Sequence, residues 1–150
     1  MKACSVDLKG SDAVLCMMTL TDEGLFEVHD CRQSKITLKS PDDSESMNAF
    51  QFAFAKLMQD YSIEHVVIRE RPKGGKFAGG AVGFKMEAAI QLIADLNVDV
   101  MPTSLMKEQL KKTPMFVDLK DVGLKKFHEV AFQTGFAWLH HQAYLKHCGQ

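Results

Sequence analysis

Residues 65–83 read His-Val-Val-Ile-Arg-Glu-Arg-Pro-Lys-Gly-Gly-Lys-Phe-Ala-Gly-Gly-Ala-Val-Gly. The run Val66-Val67-Ile68 predicts a buried strand, because β-branched side chains suit a pleated surface packed on both faces. Pro72 has no N–H to give to a ladder, so the strand, expected over 65–70, must stop before it. Glu70, flanked by Arg69 and Arg71, then stands at the tip of a buried strand. Function more often than packing accounts for a carboxylate placed there. Simple surface pairing with Arg69, Arg71 or Lys73 would also accommodate it. A loop with four glycines and with Lys73 and Lys76 follows. It is not a P-loop, because Phe77 follows Lys76 where that motif needs Ser or Thr; it suits a mobile lid or substrate loop. An amphipathic helix is expected from Ala81 to Leu96, with Phe84, Ala88, Leu92 and Leu96 on one face.

Upstream, residues 3–8 predict a short strand and Lys9-Gly10-Ser11-Asp12 a tight turn. The nearly all-apolar stretch 13–20 predicts a central strand. Leu25–His29 predicts a third strand, extended by or followed by a short edge strand at 34–38, which makes an antiparallel meander. Ser40-Pro41-Asp42-Asp43 has the composition of a helix start, with Ser40 as cap. From there to Tyr61, Met47, Phe50, Phe54, Leu57, Met58 and Tyr61 recur at three- and four-residue steps as a core stripe. Downstream of the central stretch, Asn97–Pro102 predicts a short strand. Thr103 or Ser104 would cap a helix over 105–112, and 113–123 reads as irregular. A last helix is expected over 124–147, with Phe127, Ala131, Phe136, Leu139 and Tyr144 among its apolar positions. The order β-β-β-α-β-α-β-α-α predicts one α/β layer domain over residues 1–150, with helices on both faces of a mixed sheet.

Composition limits the function classes. The chain has 150 residues, 46% hydrophobic and 25% charged, with a net charge of −1, the profile of an ordinary soluble domain. No apolar run approaches the roughly 20 residues that span a bilayer. Asp7 comes too early for a signal peptide. Cys4, Cys16, Cys31 and Cys148 form no CxxC pair, which points to reduced thiols and a cytoplasmic setting. His140, His141, His147 and Cys148 lack zinc-ligand spacing, since adjacent helical histidines face different ways. Residues 1–64 carry 6 Lys/Arg against 11 Asp/Glu, and residues 65–150 carry 12 against 8. The basic second half suits phosphates.

The first strand carries an acid and runs into a glycine turn, Val6-Asp7-Leu8-Lys9-Gly10-Ser11, and the fourth strand ends in Glu70. With the strand order, these residues resemble the ribonuclease H-like fold and, within it, the RuvC-type Holliday junction resolvases. The helix expected at 81–96 and the passage Met101-Pro102-Thr103-Ser104 into a lysine-rich helix are similar too. As a whole the chain looks like a small bacterial family of this fold with no established activity. The departure is in the last helix, where resolvases place two acids two or three residues apart. This chain has Lys126-Phe127-His128-Glu129-Val130-Ala131. Glu129 is the one acid there, Asp118 and Asp121 precede it, and His128 would have to stand in for the other ligand.

The resemblance implies a Mg²⁺- or Mn²⁺-dependent nuclease acting on structured or branched nucleic acid, and a homodimer. Such chemistry needs clustered carboxylates, because paired divalent ions are held by oxygen ligands. Asp7, Glu70 and Glu129 are the candidate ligands and, with His128, the candidate catalytic residues. Arg69, Arg71, Lys73 and Lys76 are the candidate contacts to the phosphodiester backbone. The alternative is a degenerate member of the fold that binds nucleic acid or a protein without cutting. Asp7 could equally cap the turn at Gly10 or Ser11, His128 and Glu129 could be ordinary helix-surface residues, and Lys107, Lys111 and Lys112 a solvated helix face.

Overall fold

A computed structural model of the chain describes residues 1–71, 80–115 and 117–148. Four strands come first: β1 (Lys2–Lys9), β2 (Asp12–Leu20), β3 (Phe26–His29) and β4 (Lys35–Thr37). The helix α1 (Ser44–Asp60), strand β5 (His65–Arg69), helix α2 (Ala81–Gln91) and strand β6 (Asn97–Met101) follow. Helix α3 (Thr103–Lys112), two 3-10 turns at Leu119–Val122 and Lys126–His128, and helix α4 (Glu129–Cys148) complete the order. The strands form one mixed sheet in the order β3-β2-β1-β5-β6, with β4 beside β2. β2 runs antiparallel to β1, while β5 lies parallel to β1 and β6 parallel to β5. β3 and β4 lie end to end along the outer edge of β2.

The period-2 alternation of strands sorts the sheet into two cores. Cys4, Val6 and Leu8 of β1 join Leu15, Met17, Val66 and Ile68 under Phe50, Phe54 and Leu57 of α1 and Met86 and Ile90 of α2. Ala3, Val14, Cys16, Met18 and Val67 project the other way, toward Met106 of α3 and Ala131, Phe132 and Trp138 of α4. Helices therefore cover both faces, as expected. Helix α4 is buried without a break from Phe136 to Leu139, the mark of a helix packed nearly all round. Burial also pushes the Cys4 and Cys16 thiols up, Cys16 to about 12.

Three helix expectations need correction. α1 begins at Ser44, and Asp43 rather than Ser40 caps it, accepting from the Glu45 N–H at 3.2 Å. α2 ends at Gln91, and its buried side is Gly83, Met86, Ala89 and Ile90. Leu92, assigned to the core from spacing, is 77% exposed. Both apolar stripes occur in that sequence, and packing against α1 selects the second. At the C-terminal end, Lys126–His128 is a 3-10 turn and α4 proper starts at Glu129. Within that region, Phe127 and Tyr144 are exposed.

Candidate active site at the carboxyl ends of β1 and β5

Two carboxylates lie where the central parallel strands end. The paired register of β1 and β5 runs to Val6 opposite Ile68, so Asp7 and Arg69 occupy the next row, and Glu70 follows Arg69. In open α/β sheets the crevice beyond the carboxyl ends of parallel strands is where ligands bind. Asp7 is only 3% exposed. Its Oδ2 is buried and accepts no hydrogen bond among the described residues. A carboxylate taken out of water without hydrogen bonds is costly unless a cation compensates it. The Lys9 ammonium, 3.4 Å from Oδ2, supplies part of that. Lys9 shares a strand face with Asp7 because residues two apart on a strand project together.

Glu70 is half-buried. Its N–H donates to the Met101 carbonyl at 2.9 Å, which extends the β5–β6 ladder by one step. Its Oε1 accepts from the Thr103 N–H at 3.2 Å. Pro102 stands at the N-cap of α3 and offers no side-chain acceptor there. Glu70 therefore takes the capping role assigned from sequence to Thr103 or Ser104, and it meets the positive end of the helix dipole. Among the described residues it forms no ion pair with Arg69 or Arg71.

Helix α4 closes the site from the other side. The Ser5 hydroxyl donates to the Ala131 carbonyl at 2.6 Å. A Cβ on Gly135 would lie 2.8 Å from that hydroxyl and 2.5 Å from the Met18 sulfur, so glycine lets helix and sheet meet. Asp7 is two residues beyond Ser5 on the same face, and His128 closes the 3-10 turn three residues before Ala131, so both lie at this end. Lys9 links them, donating to the Phe127 carbonyl at 3.1 Å. His128 is buried, its Nδ1 accepts from the Lys125 N–H at 3.2 Å, and burial holds its pKa below the usual imidazole value. Glu129 is half-buried and lines a surface groove together with Lys125, Lys126, Leu124 and Gln133. Ala131, two residues after Glu129, is fully buried against β1.

The basic candidates divide. The Arg71 guanidinium is engaged inside the protein: Nη1 donates to the Leu8 carbonyl, and the side chain crosses so close to Gly83 that no Cβ fits there. Arg69 is half-buried, with its Nε unpaired among the described residues. Lys73, Lys76 and the glycine loop read as a lid lie outside the described residues. Three cations that the sequence did not single out, Lys9, Lys125 and Lys126, are exposed around Phe127. The signal was present for Lys9, two residues from Asp7 on a strand, but not for the others, whose placement depends on the turn ahead of α4.

A divalent ion suits part of this donor set. A buried carboxylate oxygen on Asp7 that accepts no hydrogen bond among the described residues, and a second carboxylate one strand away, are hard oxygen donors. Mg²⁺ is commonly held by one or two carboxylates together with substrate phosphates and water. Among the described residues no group of three or more His, Cys, Asp or Glu is arranged to hold a metal. No helix among them is long and apolar enough to cross a membrane.

Solved structures resemble the fold over nearly its whole length. The Thermus thermophilus RuvC structure aligns with a TM-score of 0.70 at 13% identity, covering 97% of this chain and 96% of that one. T. thermophilus RuvC in complex with a Holliday junction substrate gives 0.66 at 14%, with the same coverage. The yeast mitochondrial Holliday junction resolvase gives 0.61 at 12%, covering 97% and 82%. With the mixed sheet and its two helical layers, these likenesses establish a ribonuclease H-like fold. No curated protein sequence matches the chain. Residues 1–138 match the family described as "Protein of unknown function (DUF3010)", and the chain belongs to that family.

Proposed function

We propose that this protein is a nuclease of the ribonuclease H-like fold that hydrolyses phosphodiester bonds in structured or branched nucleic acid with a Mg²⁺ or Mn²⁺ cofactor. The observation that carries the reading is the buried Oδ2 of Asp7, which accepts no hydrogen bond among the described residues and has only the Lys9 ammonium beside it, at the sheet's ligand-binding end and one strand from Glu70. Asp7 and Glu70 would hold the ion, which when bound would activate water and stabilise the leaving oxygen. Lys9, Lys125 and Lys126 offer the phosphate contacts that sequence-independent binding relies on. His128, neutral near pH 7 through burial, lines the same end and can accept or pass a proton. Glu129, which lines a groove with Lys125 and Lys126, would be the third carboxylate ligand. The likeness to RuvC in complex with a Holliday junction substrate supports a branched substrate, and a homodimer is carried over from the resolvase resemblance alone.

The test is cleavage of a four-way DNA junction, a single strand and an RNA–DNA hybrid in Mg²⁺ and Mn²⁺ by the parent, Asp7→Asn and Glu70→Gln. Loss of a metal ligand should cost at least about a thousandfold in rate, the scale of removing a main stabiliser of transition-state charge. Cleavage that persists in Asp7→Asn would sink the proposal. A second reading, binding without cutting, is favoured by the lack, among the described residues, of three or more His, Cys, Asp or Glu grouped to hold a metal. Tight junction binding with no turnover in either metal would establish it.

A further inference from the structure

We infer that Lys9 is a resident counter-ion that keeps Asp7 from taking a divalent ion until a nucleic-acid phosphate draws the ammonium away. This rests on the nuclease reading above and names how metal entry is coupled to substrate. The Lys9 Nζ lies 3.4 Å from the Asp7 oxygen that has no hydrogen bond. A Mg²⁺ bound to that oxygen at about 2.1 Å would stand no more than about 5.5 Å from the ammonium. A dication and an ammonium at that separation repel, more than in bulk water because the Asp7 carboxylate between them is buried. The ammonium and the ion therefore compete for Asp7.

Lys9 is built to leave and Asp7 is not. The Lys9 side chain is 47% exposed and that of Asp7 only 4%. Lys9 stands at the mouth of the β1–β2 hairpin, and its second contact, the Phe127 carbonyl, is a neutral acceptor. A phosphodiester beside Lys125, Lys126 and Phe127 would offer the ammonium a full negative charge within reach of its flexible stem. Moving there, Lys9 would neutralise the phosphate and vacate Asp7 in one step. Substrate would also contribute an oxygen ligand, offsetting the sparse protein donor set.

Mn²⁺ binding read by electron paramagnetic resonance separates the possibilities without measuring cleavage. Parent, Lys9→Gln, Lys9→Arg and Asp7→Asn would each be titrated alone and with a four-way DNA junction, circular dichroism confirming the fold. Gln keeps a donor for the Phe127 carbonyl without the charge, and Arg keeps the charge. The expected result is at least tenfold tighter Mn²⁺ binding by Lys9→Gln than by the parent, with Lys9→Arg like the parent. The junction should tighten the parent toward Lys9→Gln, and Asp7→Asn should bind weakly throughout. If parent and Lys9→Gln bind equally and Asp7→Asn binds less, the metal site stands and the counter-ion role is wrong. If the parent binds tightly without DNA, the role is likewise wrong. If no protein binds Mn²⁺ with or without the junction, the metal-dependent reading falls, and this inference with it. Should Lys9→Gln not fold, the parent with and without junction decides the matter: no tightening overturns the inference.

Discussion

His128 shows how a single side chain at the site combines packing with charge. It closes a 3-10 turn, accepts from the Lys125 N–H through Nδ1, and stacks on Phe127 at 4.1 Å between ring centroids. Burial is the main cause of its lowered pKa, with the Lys125 and Lys9 charges adding in the same direction. In the unfolded chain its pKa returns to about 6.5. The unfolded state therefore binds more protons in the interval between the two values, and stability rises with pH there. The contribution is fully present above about pH 6.5 and is lost as pH falls through the lower, folded value. Protonation would also remove the acceptor that Nδ1 offers to Lys125. His128→Gln, which can accept the same bond and does not titrate, should lose less stability than the parent between pH 7 and pH 5 in urea titrations. Parallel losses would show that His128 is not the group responsible.

At the scale of elements, the carboxylate at the end of β5 also anchors a helix. Glu70 accepts from the first N–H of α3, which follows a proline and has no side-chain cap of its own. Glu70→Ala should cost about 1 kcal/mol, as the loss of a capping acceptor does. Glu70→Gln retains an oxygen at that position and should cost no more than about half as much. Equal destabilisation by the two variants, measured by chemical denaturation, would mean that the charge rather than the acceptor holds α3. The distinction matters for the nuclease test, because Glu70→Gln then reports on chemistry in an intact fold. The strand ending in Glu70 was legible from Val66-Val67-Ile68 and Pro72, which act through local backbone chemistry. Its partner was not legible, because Thr103 lies 33 residues away and only the parallel register of β5 and β6 brings it near. The same distinction explains α2. Its existence follows from composition, but which of two apolar stripes faces inward is decided by α1. Glu129 and His128 are neighbours in sequence, yet His128 is buried and Glu129 half-buried, a difference set by how the turn ahead of α4 packs.

Across the whole molecule, near-neutral net charge conceals an uneven distribution that the fold makes use of. The acidic first half contributes Asp7 but also Lys9, while Arg69, Lys125 and Lys126 come from the basic half. Folding puts Lys9 and Arg69 at the carboxyl ends of β1 and β5, and Lys9 reaches the Phe127 carbonyl next to Lys125 and Lys126 in the chain, so the overall charge understates the local field. Phe127, exposed between Lys126 and the buried His128, adds a ring on which an unpaired base can stack. If these four cations each neutralise one phosphate, affinity for DNA should fall with salt at a log–log slope of about −3.6. Raising salt from 50 to 200 mM would then weaken binding roughly a hundredfold. Lys125→Ala/Lys126→Ala should bind more weakly at low salt and reduce the slope by about 2, without affecting the fold, because both side chains are exposed. Fluorescence anisotropy with a labelled junction at four salt concentrations measures both quantities. An unchanged slope in the double variant would place the phosphate track elsewhere on the molecule. A slope near zero in the parent would mean that this end of the sheet does not meet nucleic acid, whatever its carboxylates do.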